Sequence, residues 1–129
     1  MGLDLYRHPS WDQYVADSNG LVQFVHSSFL DWVTELNFTA ILDNGCFHHQ
    51  APDEDDIYLN RVKTLLEDQG IFVLGLYPSA EEESELSTVT TLPSGKYKRL
   101  FSVSGIKVLL ESYGFNCYES GLVQSLNLD

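Results

Sequence analysis

Basic residues are scarce in this sequence. The chain of 129 residues has 7 lysines and arginines against 19 aspartates and glutamates, a formal net charge of −12. Nucleic-acid backbones and anionic membrane surfaces are bound by basic surfaces, so this balance argues against both as the main partner. Two acidic runs, Asp53 to Asp56 and Glu81 to Glu85, hold part of the charge, and we expect both to be solvated.

Cysteines and long apolar stretches are also few. The two cysteines, Cys46 and Cys117, lie far apart in the sequence, which argues against a disulfide framework and suits a reducing compartment. No apolar run follows basic residues at the N-terminus, and none approaches the ~20 residues that a membrane span needs. We therefore expect a cytoplasmic protein with a single domain over residues 1–129.

Short apolar segments alternate with segments of helical spacing. Strands are predicted over residues 2–6, 21–26, 38–42, 71–77 and 115–119, with a last one over 122–128. Helices are predicted over residues 11–17, 52–66 and 106–113, with a short helix or helical turn within 27–36. Ser10 is expected to cap the first helix, Ser102 or Ser104 to cap the last, and Gly70 and Gly114 to end helices. Pro93-Ser94-Gly95 reads as a hairpin turn after the Thr/Val stretch at 87–92.

This alternation predicts an α/β fold with a doubly wound, mostly parallel sheet. Segments 38–42 and 71–77 are expected to be adjacent parallel strands, because an amphipathic helix lies between them. Ligands of such sheets bind outside the carboxyl ends of the strands, so the residues after each strand are the candidate site. They fall at 4–6, 26–29, 43–49 and 77–79.

The segment DNGCFHH, Asp43 to His49, follows a predicted strand and precedes a helix that leads to LLEDQGIFVLGLY. This stretch resembles the class I S-adenosylmethionine-dependent methyltransferases, in particular the thiopurine and tellurite-resistance group. The opening GLDLYRHP is similar to the end of that family's second strand, and LFSVSGIKVLLESYGFNCYE to its late helix and Gly-Phe strand. The resemblance covers nearly the whole chain.

The resemblance implies S-adenosylmethionine as the cofactor. It places Asp4, with Leu5, at the cofactor's ribose, and Ser28, with Phe29, where the adenine is bound. Asn44 and Gly45 would bring the backbone close to the methionine end, because glycine lacks a Cβ. A strand-end acid in a turn and a simple DNG turn are the plainer interpretations of Asp4 and of Asn44-Gly45, and both stay open.

Two departures from the family matter. Its members open with a strand and a Gly-x-Gly loop that aims a helix N-terminus at the cofactor, whereas this sequence begins at the second strand. The resemblance therefore implies a domain that is incomplete at its N-terminus. In addition, Ser28 stands where many members have an acid, and a serine cannot supply that charge.

The histidine pair, His48 and His49, has two interpretations besides a half-buried structural role. With Cys46 and His26 it suggests zinc, but one cysteine and two adjacent histidines make a poor ligand set, and we predict no metal site. The pair could instead line the pocket of the methyl acceptor and accept a proton near neutral pH. Cys46 and Phe47 are expected in the core.

The sequence thus predicts a methyltransferase-like domain acting on a small molecule, weak or inactive as this isolated chain. Two alternatives stay open: a non-catalytic remnant that serves as an interaction domain, and a fragment of a longer active enzyme. No partner is expected among nucleic acids or membranes. An exposed sheet edge, left where the family has its first strand, could allow self-association.

Overall fold

Strands and helices alternate along the part of the chain that the computed structural model describes, residues 1–79, 87–118 and 120–121. In chain order the elements are β1 (Gly2–Asp4), α1 (Trp11–Asp17), β2 (Phe24–His26), β3 (Phe38–Asn44), α2 (Asp55–Leu65), β4 (Leu66–Gly75), β5 (Tyr77–Pro78), β6 (Ser87–Thr91), β7 (Tyr97–Phe101) and α3 (Val103–Ser112). Two 3₁₀ turns, Phe47–His49 and Pro52–Glu54, lie between β3 and α2. The acidic run 81–85 and the strand predicted at 122–128 lie outside the described residues.

The first unit is a parallel pair of strands connected by α1. β1 and β2 pair in register, with Asp4 opposite His26. The buried Trp11 of α1 stacks on Phe24 of β2 with 4.8 Å between ring centroids, which holds the helix on the pair. Ser10 occupies the N-cap position, but its side chain makes no capping hydrogen bond, because its backbone is already helical rather than extended.

The second unit consists of β3, α2 and β4, and it confirms the prediction that segments 38–42 and 71–77 are adjacent parallel strands. β3 and β4 are parallel neighbours, with Ile41 opposite Phe72 and Asn44 opposite Gly75. The helix that connects them, α2, carries the buried residues Leu59 and Val62 on its inner face. The order strand, helix, parallel strand is the crossover that the alternating pattern predicts.

The end of α2 differs from the prediction. The helix ends at Leu65 and β4 begins at once, because Leu66 already pairs with Phe38 in the sheet. The next pair is Ala40 with Ile71, so the chain between forms an irregularity in which Gln69 takes φ +65°. Gly70 therefore does not terminate the helix in a left-handed conformation. Strand pairing distant in sequence outweighs the local preference for another helical turn.

A hairpin and the last helix complete the described chain. β6 and β7 are antiparallel, and the Gly95 amide donates to the Leu92 carbonyl at 2.9 Å, so the predicted hairpin turn is confirmed. β5 follows β4 after one residue and pairs in parallel with β7. The Ser102 hydroxyl accepts from the Gly105 amide at 3.0 Å as the N-cap of α3.

The strand predicted at 115–119 is not formed over residues 115–118. Gly114 ends α3 with φ +89°, as predicted. The Phe115 amide then donates to the Leu110 carbonyl at 3.1 Å, and the Phe115 ring packs 5.7 Å from Phe72. The backbone of Phe115 thus closes the end of the helix, while its ring covers the sheet.

The core lies between α2, β7 and the turn after β3. Its fully buried cluster is Phe47, Tyr58, Leu59, Val62 and Phe101. Phe47 in the core is as predicted, and Cys46 is half-buried against the cluster. No helix in the described ranges is long and apolar enough to span a membrane.

One member of the first acidic run is not solvated, contrary to prediction. Asp55 is buried at the start of α2. Its carboxylate accepts hydrogen bonds from both terminal nitrogens of the buried Arg99 side chain, at 2.6 and 2.9 Å. The pair joins α2 to β7, and the guanidinium lies over the rings of Phe47 and Phe101. Sequence spacing gives no hint of it, because the two residues are 44 positions apart.

Candidate functional site

The turn after β3 is organised by the buried carboxylate of Asp43. Its oxygens accept hydrogen bonds from the amides of Cys46 at 2.8 Å and Phe47 at 2.9 Å. The hydroxyl of Tyr58, from α2, donates to the same carboxylate. Asp43 therefore holds the 45–49 segment against α2 and has a structural role. The sequence places this residue in a turn signal and in the candidate site set 43–49, and neither indicates its structural role.

Two groups beside Asp43 stay protonated at neutral pH. Burial raises the pKa of the Cys46 thiol to about 11, and the charge of Asp43 adds to the effect. Burial and the same carboxylate raise the pKa of the Tyr58 hydroxyl well above its usual range. Neither group is suited to act as a nucleophile or base.

The next two residues, Asn44 and Gly45, lie at the carboxyl end of β3. Gly45 has φ +102°, a conformation that residues with a side chain rarely adopt. Asn44 is exposed and pairs with Gly75 across the ladder, where a Cβ on Gly75 would lie 3.4 Å from the Asn44 Oδ1 atom. Glycine thus allows the backbone to turn and leaves the rim between β3 and β4 open.

Asp4 occupies the carboxyl end of β1. Its exposed carboxylate accepts from the Tyr6 amide at 3.0 Å and lies 3.4 Å from the His8 Nε2 atom. The Tyr6 amide hydrogen bond keeps the Asp4 pKa below its ordinary value, so this carboxylate is charged.

Leu5, beside Asp4, is exposed, and its carbonyl oxygen lies 2.8 Å from the His26 Nε2 atom. Ser28 and Phe29, the two site residues predicted after β2, make side-chain contacts within the fold. The Ser28 hydroxyl accepts from the Leu30 amide at 3.2 Å, within a turn that also includes a bond from the Trp32 amide to the Ser28 carbonyl. The Phe29 ring packs 4.9 Å from the Tyr58 ring. Both side chains are thus used within the fold.

His48 and His49 take different environments. The His48 ring is buried, 4.3 Å from the His49 ring and 4.5 Å from the Tyr77 ring, with its Cε1 atom 3.7 Å from where a Cβ on Gly45 would lie. Its Nδ1 atom has no hydrogen-bond partner among the described residues. The His49 Nδ1 atom lies 2.6 Å from the Tyr97 carbonyl of the hairpin. His49 is therefore tied to β7, whereas one nitrogen of His48 remains unused.

The pKa of the His48 ring is lowered in the folded chain, which favours the neutral ring at pH 7. Burial lowers its pKa, and the His49 ring lowers it further. The Asp43 carboxylate and the Gly75 backbone oppose the effect without reversing it. A neutral imidazole with an unpartnered nitrogen can accept a proton.

Two further side chains, Tyr77 and Lys98, border the histidines. The Lys98 Nζ atom lies 4.8 Å from the centre of the Tyr77 ring, which in turn contacts His48. Tyr77 falls within the strand-end set 77–79, but no sequence signal marks Lys98, because the hairpin brings it here. Within the described ranges, no three His, Cys, Asp or Glu side chains are grouped to hold a metal ion.

Comparisons with known proteins find solved structures that are similar to this one. No family model matches the sequence, and no curated protein is significantly similar to it. Among solved structures, the Burkholderia thailandensis 1,6-didemethyltoxoflavin N1-methyltransferase, with bound 1,6-didemethyltoxoflavin and S-adenosylhomocysteine, is 28% identical with a TM-score of 0.82. That match covers 92% of this chain and 51% of the other, so the chain spans about half the length of the Burkholderia protein. The glycopeptide N-methyltransferase MtfA is 15% identical with a TM-score of 0.57, over 88% of this chain and 62% of that one.

The chain therefore has the Rossmann-like α/β fold of the class I S-adenosylmethionine-dependent methyltransferases, as the sequence predicts. The narrower resemblance to the thiopurine and tellurite-resistance group stays a prediction, as does the role of each site residue.

Proposed function

We propose that this chain forms part of an S-adenosylmethionine-dependent methyltransferase that acts on a small molecule. The observation that carries the proposal is the likeness to the Burkholderia enzyme at 28% identity over 92% of the chain. That enzyme is an N1-methyltransferase whose structure holds bound 1,6-didemethyltoxoflavin and S-adenosylhomocysteine. An acceptor that is methylated on nitrogen is accordingly the substrate class that we favour here.

The described residues fit the cofactor in part. Asp4 offers an exposed, charged carboxylate that could accept hydrogen bonds from two ribose hydroxyls, and Gly45 offers a turn without a Cβ next to Asn44. When bound, S-adenosylmethionine would supply an electrophilic methyl group. Ser28 and Phe29 fit less well, because the hydroxyl bonds within its own turn and the ring packs on Tyr58. For Leu5, exposure at the same strand end is the supporting observation.

The acceptor pocket would lie beside His48, His49 and Tyr77. Methylation of an N–H group would form an N–C bond while the S–CH3 bond of the sulfonium breaks, with S-adenosylhomocysteine as the leaving group. The nitrogen also loses its proton, so a base at hydrogen-bond distance would help the reaction. His48 is better suited than His49, because its Nδ1 atom has no partner among the described residues while that of His49 contacts the Tyr97 carbonyl. The His48 Nδ1 atom is buried, so binding of the acceptor would have to expose it. His49 would then position the hairpin over the pocket.

We expect the isolated chain to bind the cofactor weakly and to turn over little, if at all. The sequence has no Gly-x-Gly loop at its start, so those backbone contacts are not available from these residues. The non-catalytic alternative is favoured by one observation, the self-contained hydrogen bonding of Ser28. Activity of a longer protein that contains this chain is the third alternative.

Titration with S-adenosylhomocysteine, followed by NMR amide shifts, tests the cofactor site. We expect a dissociation constant of about 1 mM or weaker, with shifts near Asp4 and Gly45, that Asp4→Ala abolishes. Asp68→Ala is the matched control, because Asp68 is also an exposed acid but lies near the start of β4 rather than after a strand. Equal effects of the two substitutions would favour the non-catalytic alternative, and no shift at any concentration would contradict a cofactor site on these residues alone.

A further inference from the structure

A lysine without a counter-ion lies beside the histidine pair. Lys98 stands on β7 opposite Thr90 of the hairpin, and its side chain is half-buried. The ion pairs of the described residues use Arg7, His8 and Arg99, so Lys98 has no carboxylate within ion-pair distance among them. The chain has 19 acidic residues against 7 basic ones, so a half-buried lysine without an acidic partner needs an explanation.

The strand register explains where this ammonium group lies. Side chains alternate between faces along β7, and Arg99 and Phe101 are the buried ones. Lys98 and Leu100 therefore share the other face. Tyr77 of β5 pairs with Leu100, which makes Lys98 its diagonal neighbour. The Lys98 Nζ atom accordingly lies 4.8 Å from the centre of the Tyr77 ring, and the ring attracts the ammonium group and holds it beside the strand end.

Tyr77 connects the lysine to the candidate site. Its ring lies 4.5 Å from the ring of His48, whose Cε1 atom lies 3.7 Å from where a Cβ on Gly45 would be. We call Lys98, Tyr77 and His48 the lysine cluster. His48 is 5% exposed and its Nδ1 atom has no partner among the described residues, whereas Tyr77 is 44% exposed. A ligand that approaches Tyr77 from solvent therefore meets the ammonium group of Lys98 first.

The charge of the lysine cluster favours a negative ligand. The carboxylate of the same turn, Asp43, already accepts hydrogen bonds from two backbone amides and from the Tyr58 hydroxyl. An ammonium group that is partly removed from water gains most from an anionic oxygen, because a charge-assisted hydrogen bond replaces its lost hydration. A single lysine suits a singly charged group, since phosphate sites commonly add the backbone amides of a helix N-terminus.

We propose that Lys98, positioned by the Tyr77 ring, binds a carboxylate or an ionised ring oxygen of the methyl acceptor and so selects an anionic acceptor. The inference rests on the proposed function only in calling the ligand the methyl acceptor, because binding of the anion requires no methyl transfer. The net charge of the chain is −12, so a general attraction for anions cannot take the place of Lys98.

Benzoate is the probe, and benzamide is its neutral counterpart of nearly the same shape. Amide shifts of the full chain are followed by NMR during titration with each compound. We expect benzoate to shift the residues around Tyr77 and His48 and to bind at least about ten-fold more tightly than benzamide. Lys98→Met should remove this preference. Lys96→Met is the matched control, because Lys96 is exposed in the turn of the same hairpin, and it should leave the preference unchanged.

Conservative variants separate the two roles within the lysine cluster. Lys98→Arg keeps a positive charge that can lie over the ring, and it should retain the preference for benzoate. Tyr77→Phe keeps the ring beside the ammonium group and should also retain it. Tyr77→Leu removes the ring and should reduce the preference roughly three-fold, because the ammonium group is no longer held in place. Circular dichroism of each variant checks that the fold is retained.

Benzoate that binds no more tightly than benzamide would overturn the proposal in the unmodified chain, without any variant. Equal effects of Lys98→Met and Lys96→Met would overturn it as well. S-adenosylhomocysteine is titrated separately. A chain that prefers benzoate but binds no S-adenosylhomocysteine would contradict a cofactor site on these residues and leave the anion site standing. A chain that binds S-adenosylhomocysteine without preferring benzoate would contradict only the anion site.

Discussion

The buried ion pair of Asp55 and Arg99 is the most informative contact to remove in a test of what stabilises the fold. Arg99→Met removes the guanidinium but keeps a long unbranched side chain against the rings of Phe47 and Phe101. The carboxylate of Asp55 then stays buried without its partner, since the two hydrogen bonds of 2.6 and 2.9 Å are lost together. We expect a large loss of stability rather than a small one.

The magnitude follows from burial. Arg99 is fully buried and Asp55 is 7% exposed, so solvent cannot replace the lost contacts. Removing one partner of a buried ion pair costs about 3–5 kcal/mol. The total stability of a domain is about 5–15 kcal/mol, so the loss is a large fraction of it. For a chain of this size we expect the melting temperature to fall by roughly 10–20 °C.

A double-mutant cycle measured by urea unfolding separates charge from packing. Asp55→Leu alone removes the carboxylate that accepts both hydrogen bonds of the guanidinium, and it should also be strongly destabilising. The double variant, Asp55→Leu with Arg99→Met, removes both charges and should lie within about 1 kcal/mol of the wild type. Slopes of the unfolding curves that match the wild type would confirm that the same transition is measured.

Two results would refute this reasoning. A loss below about 1 kcal/mol for Arg99→Met would mean that the pair behaves as a solvated one. A double variant less stable than either single variant would mean that the two charged groups stabilise the fold themselves, and that removing both does not restore stability.

Three further predictions concern the turn after β3. Gly45→Ala should cost about 1–3 kcal/mol of unfolding free energy, because φ is +102° there, whereas Gly121→Ala, at an open position, should change stability little. In a Cys117→Ser background, iodoacetamide should label Cys46 roughly 100-fold more slowly at pH 8 in the folded chain than in urea, since burial raises the thiol pKa to about 11; comparable rates would contradict that pKa. The folded pKa of His48 is lowered from 6.5, so its contribution to stability is complete above that pH and is lost as pH falls through 6.5 towards the folded value. His48→Gln should therefore flatten the fall in unfolding free energy between pH 7 and 5.5, and an unchanged slope would argue against a neutral buried ring.

Several elements follow from local pattern and are found where the sequence predicts them. The crossover from β3 through α2 to β4 follows from two apolar runs around an amphipathic segment. The 93–95 turn, the Ser102 cap and the Gly114 end follow from residues whose preferences act within four positions. The strand predicted at 115–119 is wrong over 115–118, because an apolar and aromatic run after a helix can cover a sheet as readily as join one.

The candidate site likewise has a part that the sequence predicts and a part that only the structure shows. The candidate rim residues Asp4 and Asn44-Gly45 follow from the expectation that ligands bind at the carboxyl ends of strands, although the strands themselves end at Asp4 and Asn44 rather than at residues 6 and 42. The distinction between His48 and His49 does not, because it depends on which ring meets the Tyr97 carbonyl, 48 positions from His49. The placement of Lys98 against Tyr77 depends on the hairpin in the same manner.

The sequence by itself determined the class of fold, the parallel pairing of β3 with β4 and the turns that end at glycine, since these depend on periodicity and local backbone preference. Only the tertiary structure decided that Asp43 accepts a hydrogen bond from Tyr58, that Asp55 is buried against Arg99, and that Leu42, Ile71 and Val73 of the β3–β4 ladder are exposed. The physical reason is that hydrogen bonding and burial depend on neighbours in space. Those neighbours are brought together by packing across many sequence positions, which no local pattern encodes.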